Sequence, residues 1–169
     1  MQNECVTSDL NEQSILNLDE QMCFALYSAS HAMTKIYKPL LAPFGLTYPQ
    51  YLVLLVLWQK DSITVNALGE RLFLDSGTLT PLLKRLEKLA LITRKREAID
   101  GREVIIALTP IGQSLRDDVE HIPAKVSCNT GCTLPEIKEL NQQLIVLREH
   151  LNINLTQLKQ FVNSSFLTS

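Results

Sequence analysis

The chain has no apolar run that approaches the ~20 residues of a membrane-spanning helix. Its densest stretch, Val53–Trp58, is far too short. It opens Met-Gln-Asn-Glu, without the basic start and apolar core of a secretory signal. These absences predict a cytoplasmic protein with no membrane association. An excess of positive charge is also missing, since the formal net charge is −2. A full set of metal ligands is missing too. Cys128 and Cys132 make one pair with no second pair in sequence, and His121 and His150 fall at no ligand spacing. No metal and no cofactor are expected. In the cytosol the four cysteines, Cys5, Cys23, Cys128 and Cys132, should be reduced at rest. That excludes a disulfide framework and leaves redox chemistry or an incomplete metal site. Hydrophobic content is ordinary for a globular protein, and 169 residues suit one domain or a small domain with dimerisation arms.

What is present is concentrated between Thr64 and Thr109. Thr64 can cap a short helix through Leu72, with Val65, Leu68 and Leu72 at helical spacing. Asp75-Ser76-Gly77-Thr78 offers capping oxygens for a second helix to about Leu89. Leu79, Leu82, Leu83, Leu86 and Leu89 are expected inward, and Thr80, Lys84, Arg85 and Lys88 outward. Pro81 is expected in or near the first turn, where a missing N–H costs little. Two strand-like pieces follow, Ile92–Glu97 and Glu103–Leu108, joined by a turn with Asp100-Gly101 at its tip. Helix, turn, helix and basic hairpin are the parts of a winged helix-turn-helix. The second helix would enter the major groove, with Ser76, Thr78 and Thr80 reaching base edges. An Arg at the hairpin tip would enter an adjacent minor groove.

The charge distribution answers the low net charge. From Arg71 to Arg102 there are eight Lys/Arg and four Asp/Glu, a net +4, so the rest of the chain totals −6. A basic face on an acidic body suits phosphate contact. Lys84, Arg85, Arg94, Arg96 and Arg102 are the candidate contacts. The competing reading, a merely solvated charged surface, has no account of why the charges coincide with the helix-turn-helix.

Taken in order, residues 1–16 read as a flexible arm. Asn17 and Glu20 have capping-box spacing for a helix to about Lys38, stopped by Pro39. Leu18, Met22, Ala25, Ala29, Ala32 and Ile36 form its stripe. Thr47 and Gln50 open a helix that is apolar nearly all round from Tyr51 to Trp58. Thr109-Pro110 starts another, to about His121. Ser127–Cys132 reads as a loop. Thr133 and Glu136 open a long helix to about Phe161, with Leu140, Leu144, Leu147, Leu151, Leu155 and Leu158 in line. That line is too long for its own chain to cover, so the expected partner is a second copy. The fold class predicted is mainly α with a small β-hairpin wing. Residues 45–109 form the winged helix-turn-helix, and 17–44 with 110–169 form a helical homodimerisation body. Two such heads would address half-sites roughly 34 Å apart on double-stranded DNA.

Cys23 and Tyr27 are i and i+4 on one helix face. Tyr37 is nearly on that face but ~21 Å along the axis, so it could approach only the Cys23 of an antiparallel partner. Cys23 lies past the first turn of a helix starting near Leu18, where the dipole fades, and Asp19 and Glu20 add negative charge. A reactive Cys23 therefore needs the tyrosine hydroxyls beside its sulfur. Met22, Phe24 and Leu26 suit an apolar oxidant. The bland alternative makes Cys23 a small buried hydrophobe. A loop cysteine, Cys128 or Cys132, could condense with a sulfenic acid into a disulfide.

Gln21-Met-Cys23-Phe-Ala-Leu-Tyr27-Ser-Ala-Ser, Gly45-Leu-Thr-Tyr-Pro-Gln-Tyr-Leu-Val and Leu74-Asp-Ser-Gly-Thr-Leu-Thr-Pro-Leu-Leu-Lys-Arg-Leu-Glu87 resemble the MarR family of bacterial regulators. Within it they resemble the organic hydroperoxide-sensing (OhrR-type) repressors, over about residues 16 to 150. The resemblance implies a dimeric winged-helix repressor, not an enzyme, that leaves its operator when an organic hydroperoxide oxidises Cys23. It implies that Tyr27 and Tyr37 hydrogen-bond that sulfur, and that Arg102 enters the minor groove with Asp100 holding it. Cys128 resembles the resolving cysteine of the two-cysteine branch, and Cys132 also occurs in similar members. A repressor released by a small aromatic ligand is the nearest alternative, and a thiol peroxidase the alternative of another class.

Overall fold

The computed structural model describes residues 16–96 and 103–166. The expected arm, Cys5 and the wing tip with Asp100 and Arg102 lie outside the described residues, as does the side chain of Leu158.

The first described element is one 3-10 turn, Leu18–Glu20, capped by Asn17, whose side chain accepts from the Asp19 N–H at 3.2 Å. Gln21 is extended (φ −79, ψ 113), and helix α1 then runs Met22–Leu41. Both expected ends of this helix are corrected. The Asn17 cap is used by a single turn that the extended Gln21 closes off. Pro39 lies inside the last turn of α1 rather than stopping it. A proline there removes one N–H and crowds one carbonyl, and the fully buried Leu41 holds the chain helical beyond it.

Helix α2, Tyr48–Gln59, starts at the predicted capping box: the Thr47 N–H donates to Gln50 Oε1 at 2.8 Å. Tyr51, Val53, Leu54 and Leu57 on it are buried, and it is the post of the core. Trp58 Nε1 donates to the Gly112 carbonyl at 2.9 Å and ties α2 to helix α5, Pro110–Val119. A Cβ on Gly112 would lie 2.0 Å from the Leu91 carbonyl oxygen, so only glycine fits this crossing.

Helices α3, Val65–Leu72, and α4, Ser76–Lys88, form the helix-turn-helix. Thr64 caps α3 by accepting from the Ala67 N–H at 3.1 Å. Phe73 turns the chain in the left-handed region (φ 56), and the Leu74 N–H donates to the Gly69 carbonyl at 3.0 Å. Leu79, Leu83 and Leu86 of α4 are buried as expected, whereas Leu89 has left the helix and is exposed. Pro81 is the sixth residue of α4, past the first turn where it was expected. The buried leucines keep the helix continuous through it.

Strands β2, Ile92–Arg96, and β3, Val104–Leu108, pair antiparallel with Arg94 opposite Ile106. The sheet has a third member that sequence reasoning missed. Strand β1, Ile63–Thr64, pairs with the other edge of β3, giving the order β1-β3-β2. Two residues are too few for a periodicity to register.

The chain divides into two compact units, Met1–Ile122 and Pro123–Ser169. Helix α5 ends at Val119, and a separate helix α6 covers Ile122–Asn129. Pro123 sits at its second position, a place that suits proline. Ser127 and Cys128 are therefore helical, and the loop expected at Ser127–Cys132 is shorter than read. Helix α7, Leu134–Phe166, follows its predicted capping box, with the Thr133 N–H donating to Glu136 Oε2 at 2.7 Å. Among the described residues no single helix is long and apolar enough to cross a membrane.

Candidate nucleic-acid interface and redox site

The start of α4 is a polar, exposed edge. Asp75 caps it: its carboxylate accepts from the Thr78 N–H at 2.8 Å and from the Thr78 hydroxyl at 3.0 Å. Those hydrogen bonds, backbone first and hydroxyl second, hold the Asp75 carboxyl below its ordinary range. The Thr80 hydroxyl donates to the Ser76 carbonyl at 2.7 Å. Ser76, Thr78 and Thr80 are exposed, and so are Lys84 and Arg85 one to two turns on. The hydroxyls that donate within the helix keep their acceptor lone pairs for an outside donor.

Arg94 and Arg96 extend the basic surface along β2, with Arg96 exposed and Arg94 half-buried. Arg94 is committed within the chain. Its Nε donates to Glu87 Oε2 at 2.8 Å and its Nη2 approaches the same oxygen at 2.6 Å. Glu87 thus braces the wing against the end of α4, a role that sequence reasoning missed. The two residues lie on different elements, so no local spacing signals the pair. Beside it is a cleft of about 250 Å3, lined by Thr64, Val65, Thr80, Leu83, Arg94 and Val104 among others.

The redox candidates fall on both units. Cys23 is exposed and is the second residue of α1. This corrects the expectation that it lies past the first turn. Because α1 begins at Met22, the sulfur belongs to the turn whose backbone N–H groups lack helical partners, where negative charge is favoured. Asp19 and Glu20 belong to the preceding 3-10 turn instead. Tyr27 follows one turn later and is 61% exposed, its ring stacked on His31 with centroids 4.5 Å apart. Cys23 is thus no buried hydrophobe in the single chain.

Tyr37, near the other end of α1, packs against α2. Its ring lies 4.4 Å from that of Tyr48 and 6.0 Å from that of Tyr51, centroid to centroid. Burial, then the neighbouring Tyr48 and Tyr51, push the Tyr37 phenol up to about 12. It stays protonated at neutral pH and can only act as a neutral O–H donor or acceptor. Since α1 is continuous, Tyr37 and Cys23 of one chain are ~21 Å apart along its axis, and no single chain brings them together.

Cys128 is exposed in the last turn of α6. Cys132 is exposed in the following loop, its N–H donating to the Thr130 hydroxyl at 3.2 Å and its Sγ 3.7 Å from the Thr130 carbonyl. Gly131 between them has φ 73, a left-handed conformation that glycine takes at no steric cost.

A family model described as transcriptional regulator SarA/Rot matches residues 35–119, from the last turns of α1 to the end of α5. The organic hydroperoxide resistance transcriptional regulator of Bacillus subtilis is 46% identical over 142 residues, covering 84% of this chain and 97% of its own. The chain belongs to the MarR/SarA family of transcriptional regulators. That family is a class of regulators, not of enzymes.

Another member, the HTH-type transcriptional regulator TtmR of Methylorubrum extorquens, is 47% identical over 147 residues, covering 87% of this chain and 75% of its own. Among solved members, reduced AbfR bound to DNA aligns at 40% identity with a TM-score of 0.66, covering 79% of this chain and 94% of that one. The disulfide-formed state of AbfR aligns at 39% identity with a TM-score of 0.53, over 80% and 95% of the two chains. The winged-helix fold of the family, mainly helical with a small antiparallel sheet, is therefore the fold of this chain.

Proposed function

We propose that this regulator is a cytoplasmic, homodimeric repressor that binds double-stranded operator DNA when reduced and leaves it when an organic hydroperoxide oxidises Cys23. The observation that carries the reading is the position of Cys23: exposed, in the first turn of a helix on which Met22 and Tyr27 are exposed as well. Residues 45–109 are the reading head, and 17–44 with 110–169 the dimerisation body. α4 enters the major groove, with Ser76, Thr78 and Thr80 toward the bases and Lys84, Arg85 and Arg96 toward phosphates, while Arg94 holds Glu87. Arg102 enters the minor groove, held by Asp100. The relatives support the sensing half: one is named for organic hydroperoxide resistance, and AbfR has been solved both reduced on DNA and as a disulfide.

The chemistry balances without a cofactor. The Cys23 thiolate attacks one peroxide oxygen, the O–O bond breaks, and the alkoxide leaves as an alcohol after taking a proton. Tyr27 of the same chain and Tyr37 of the partner donate O–H to the sulfur. The sulfenic acid then condenses with the Cys128 thiol of the partner, releasing water and forming an intersubunit disulfide. Cys132 is the competing resolving thiol. Drawing α6 and the Thr130–Thr133 loop toward the other chain changes the separation of the two heads. Losing the advantage of specific over non-specific binding, roughly 4–10 kcal/mol, releases the operator.

An operator gel shift with cumene hydroperoxide tests this reading. Wild type should dissociate, Cys23→Ser should stay bound, and Cys128→Ser should yield no covalent dimer on a non-reducing gel. Prompt release of Cys23→Ser would remove Cys23 from its role, and a covalent dimer in Cys128→Ser would transfer the resolving role to Cys132. The cleft beside Arg94 favours a second reading, release by a small aromatic acid. Its apolar Val65, Leu83 and Val104 would face the ring of such a ligand, whose carboxylate would have to draw Arg94 from Glu87 and avoid Glu103. Release by salicylate, undiminished in Cys23→Ser, would select it.

A further inference from the structure

We propose that His31 is a positioning residue for the peroxide sensor, acting through Tyr27; this rests on the reading of Cys23 as the oxidised thiol. Cys23, Tyr27 and His31 follow at four-residue steps on the continuous helix α1, so they form one line along a single face. Side chains on a helix lean toward its N-terminus. Tyr27 therefore leans over the turn that carries Cys23, and His31 leans over the turn that carries Tyr27. The two rings lie against each other, with centroids 4.5 Å apart and planes tilted by 45°.

Tyr27 needs such a support. In the single chain its ring is 61% exposed, and His31 is the aromatic side chain that packs on it. A phenol that swings freely presents its O–H to the sulfur for only part of the time. With the imidazole against it, the ring has fewer directions open to it. It makes no contact with the thiol itself, being eight residues and ~12 Å along the axis from it. The support is the flat face of the ring, so another aromatic side chain should serve. An aliphatic stub should not.

The experiment uses the full chain, reduced, with cumene hydroperoxide, and follows the second-order rate at which the Cys23 thiol is lost by mass spectrometry. His31→Ala should oxidise about three- to tenfold more slowly than wild type, the size of one aromatic pair. His31→Phe should recover most of the rate. In the Tyr27→Phe background, which has no hydroxyl to aim, His31→Ala should slow the reaction no further. His31 is exposed in the single chain and lies outside the proposed reading head, so unfolding of the chain and operator affinity of the reduced protein serve as the controls that should hold across the series. A wild-type rate in His31→Ala overturns the proposal. So does an equal loss in His31→Phe and His31→Ala, or a further slowing by His31→Ala on top of Tyr27→Phe. If the wild-type Cys23 thiol itself is not consumed, the reading of Cys23 as the sensor falls, and this inference falls with it.

Discussion

The helix-turn-helix region and the long helices treat the same residue type in opposite ways. Leu54, Leu68, Leu79, Leu83 and Leu86 are at most 1% exposed within one chain. On α7, Leu140, Leu144, Leu151 and Leu155 are 40–53% exposed, and on α1 Met22 and Tyr27 are exposed too. Leucine is not ordinarily left in water in a row at helical spacing, and a contiguous exposed apolar face marks an interaction site. The reading head is thus closed by its own chain. The long helices leave an apolar face that their own chain does not cover, and the proposed dimer would cover it with a second copy.

The sharpest way to break this comparison is to make one substitution in both places. Leu86→Ala should cost about 2–5 kcal/mol in denaturant unfolding, because it opens a cavity in a filled core. Leu151→Ala should leave unfolding of the isolated chain nearly unchanged and instead raise the dimer dissociation constant in sedimentation. Equal losses of chain stability would erase the distinction. Gly112→Ala should cost about 1–3 kcal/mol or more, since its methyl meets the Leu91 carbonyl and the backbone must move. A normal melting temperature for that variant would mean that α5 is looser against the head than described.

Smaller effects sharpen the picture at the surface. Glu87→Ala should change stability by only about 0–1 kcal/mol, as for other partly exposed ion pairs. It should raise the salt slope of operator binding by about one if the freed Arg94 turns to a phosphate. The smallest effect concerns pH. The Asp75 carboxyl is held below its ordinary range in the folded chain. Its contribution is present above the unfolded carboxylate value and is lost as pH falls through the lower, folded one. Asp75→Asn, which can still cap α4, should flatten that part of the acid-unfolding curve. An unchanged curve would place the acid sensitivity elsewhere; the Glu136 carboxyl at the start of α7, lowered by the Thr133 N–H and hydroxyl, is then the first candidate.

Helix starts were legible because caps are local. Thr47 with Gln50, Thr64, Thr109 with Pro110, and Thr133 with Glu136 each satisfy N–H groups within three residues, and each is found where it was read. The failures were also systematic. Pro39 was read as a stop, yet it lies inside α1, and Pro81, read in or near the first turn of α4, sits at its sixth position; buried leucines hold both helices together. Asn17 and Glu20 look like the start of α1, yet they close one turn before it. β1 is too short to carry a pattern. Where packing outvotes a local preference, the chain gives no warning in its own text.

The same division holds for the site. That Ser76, Thr78 and Thr80 stand on one helix start, and that Cys23 and Tyr27 share a face, follows from helical period alone, because such residues are neighbours through a few peptide units. The brace of Glu87 on Arg94 and the burial of Tyr37 among the α2 tyrosines were decided only when distant elements met. So was the entry of Cys23 into the first turn of α1, which depends on where the chain around it breaks and resumes its helix. Sequence by itself determined the pieces whose partners lie within a turn or two. Tertiary structure decided every contact whose closing entropy only the core could repay.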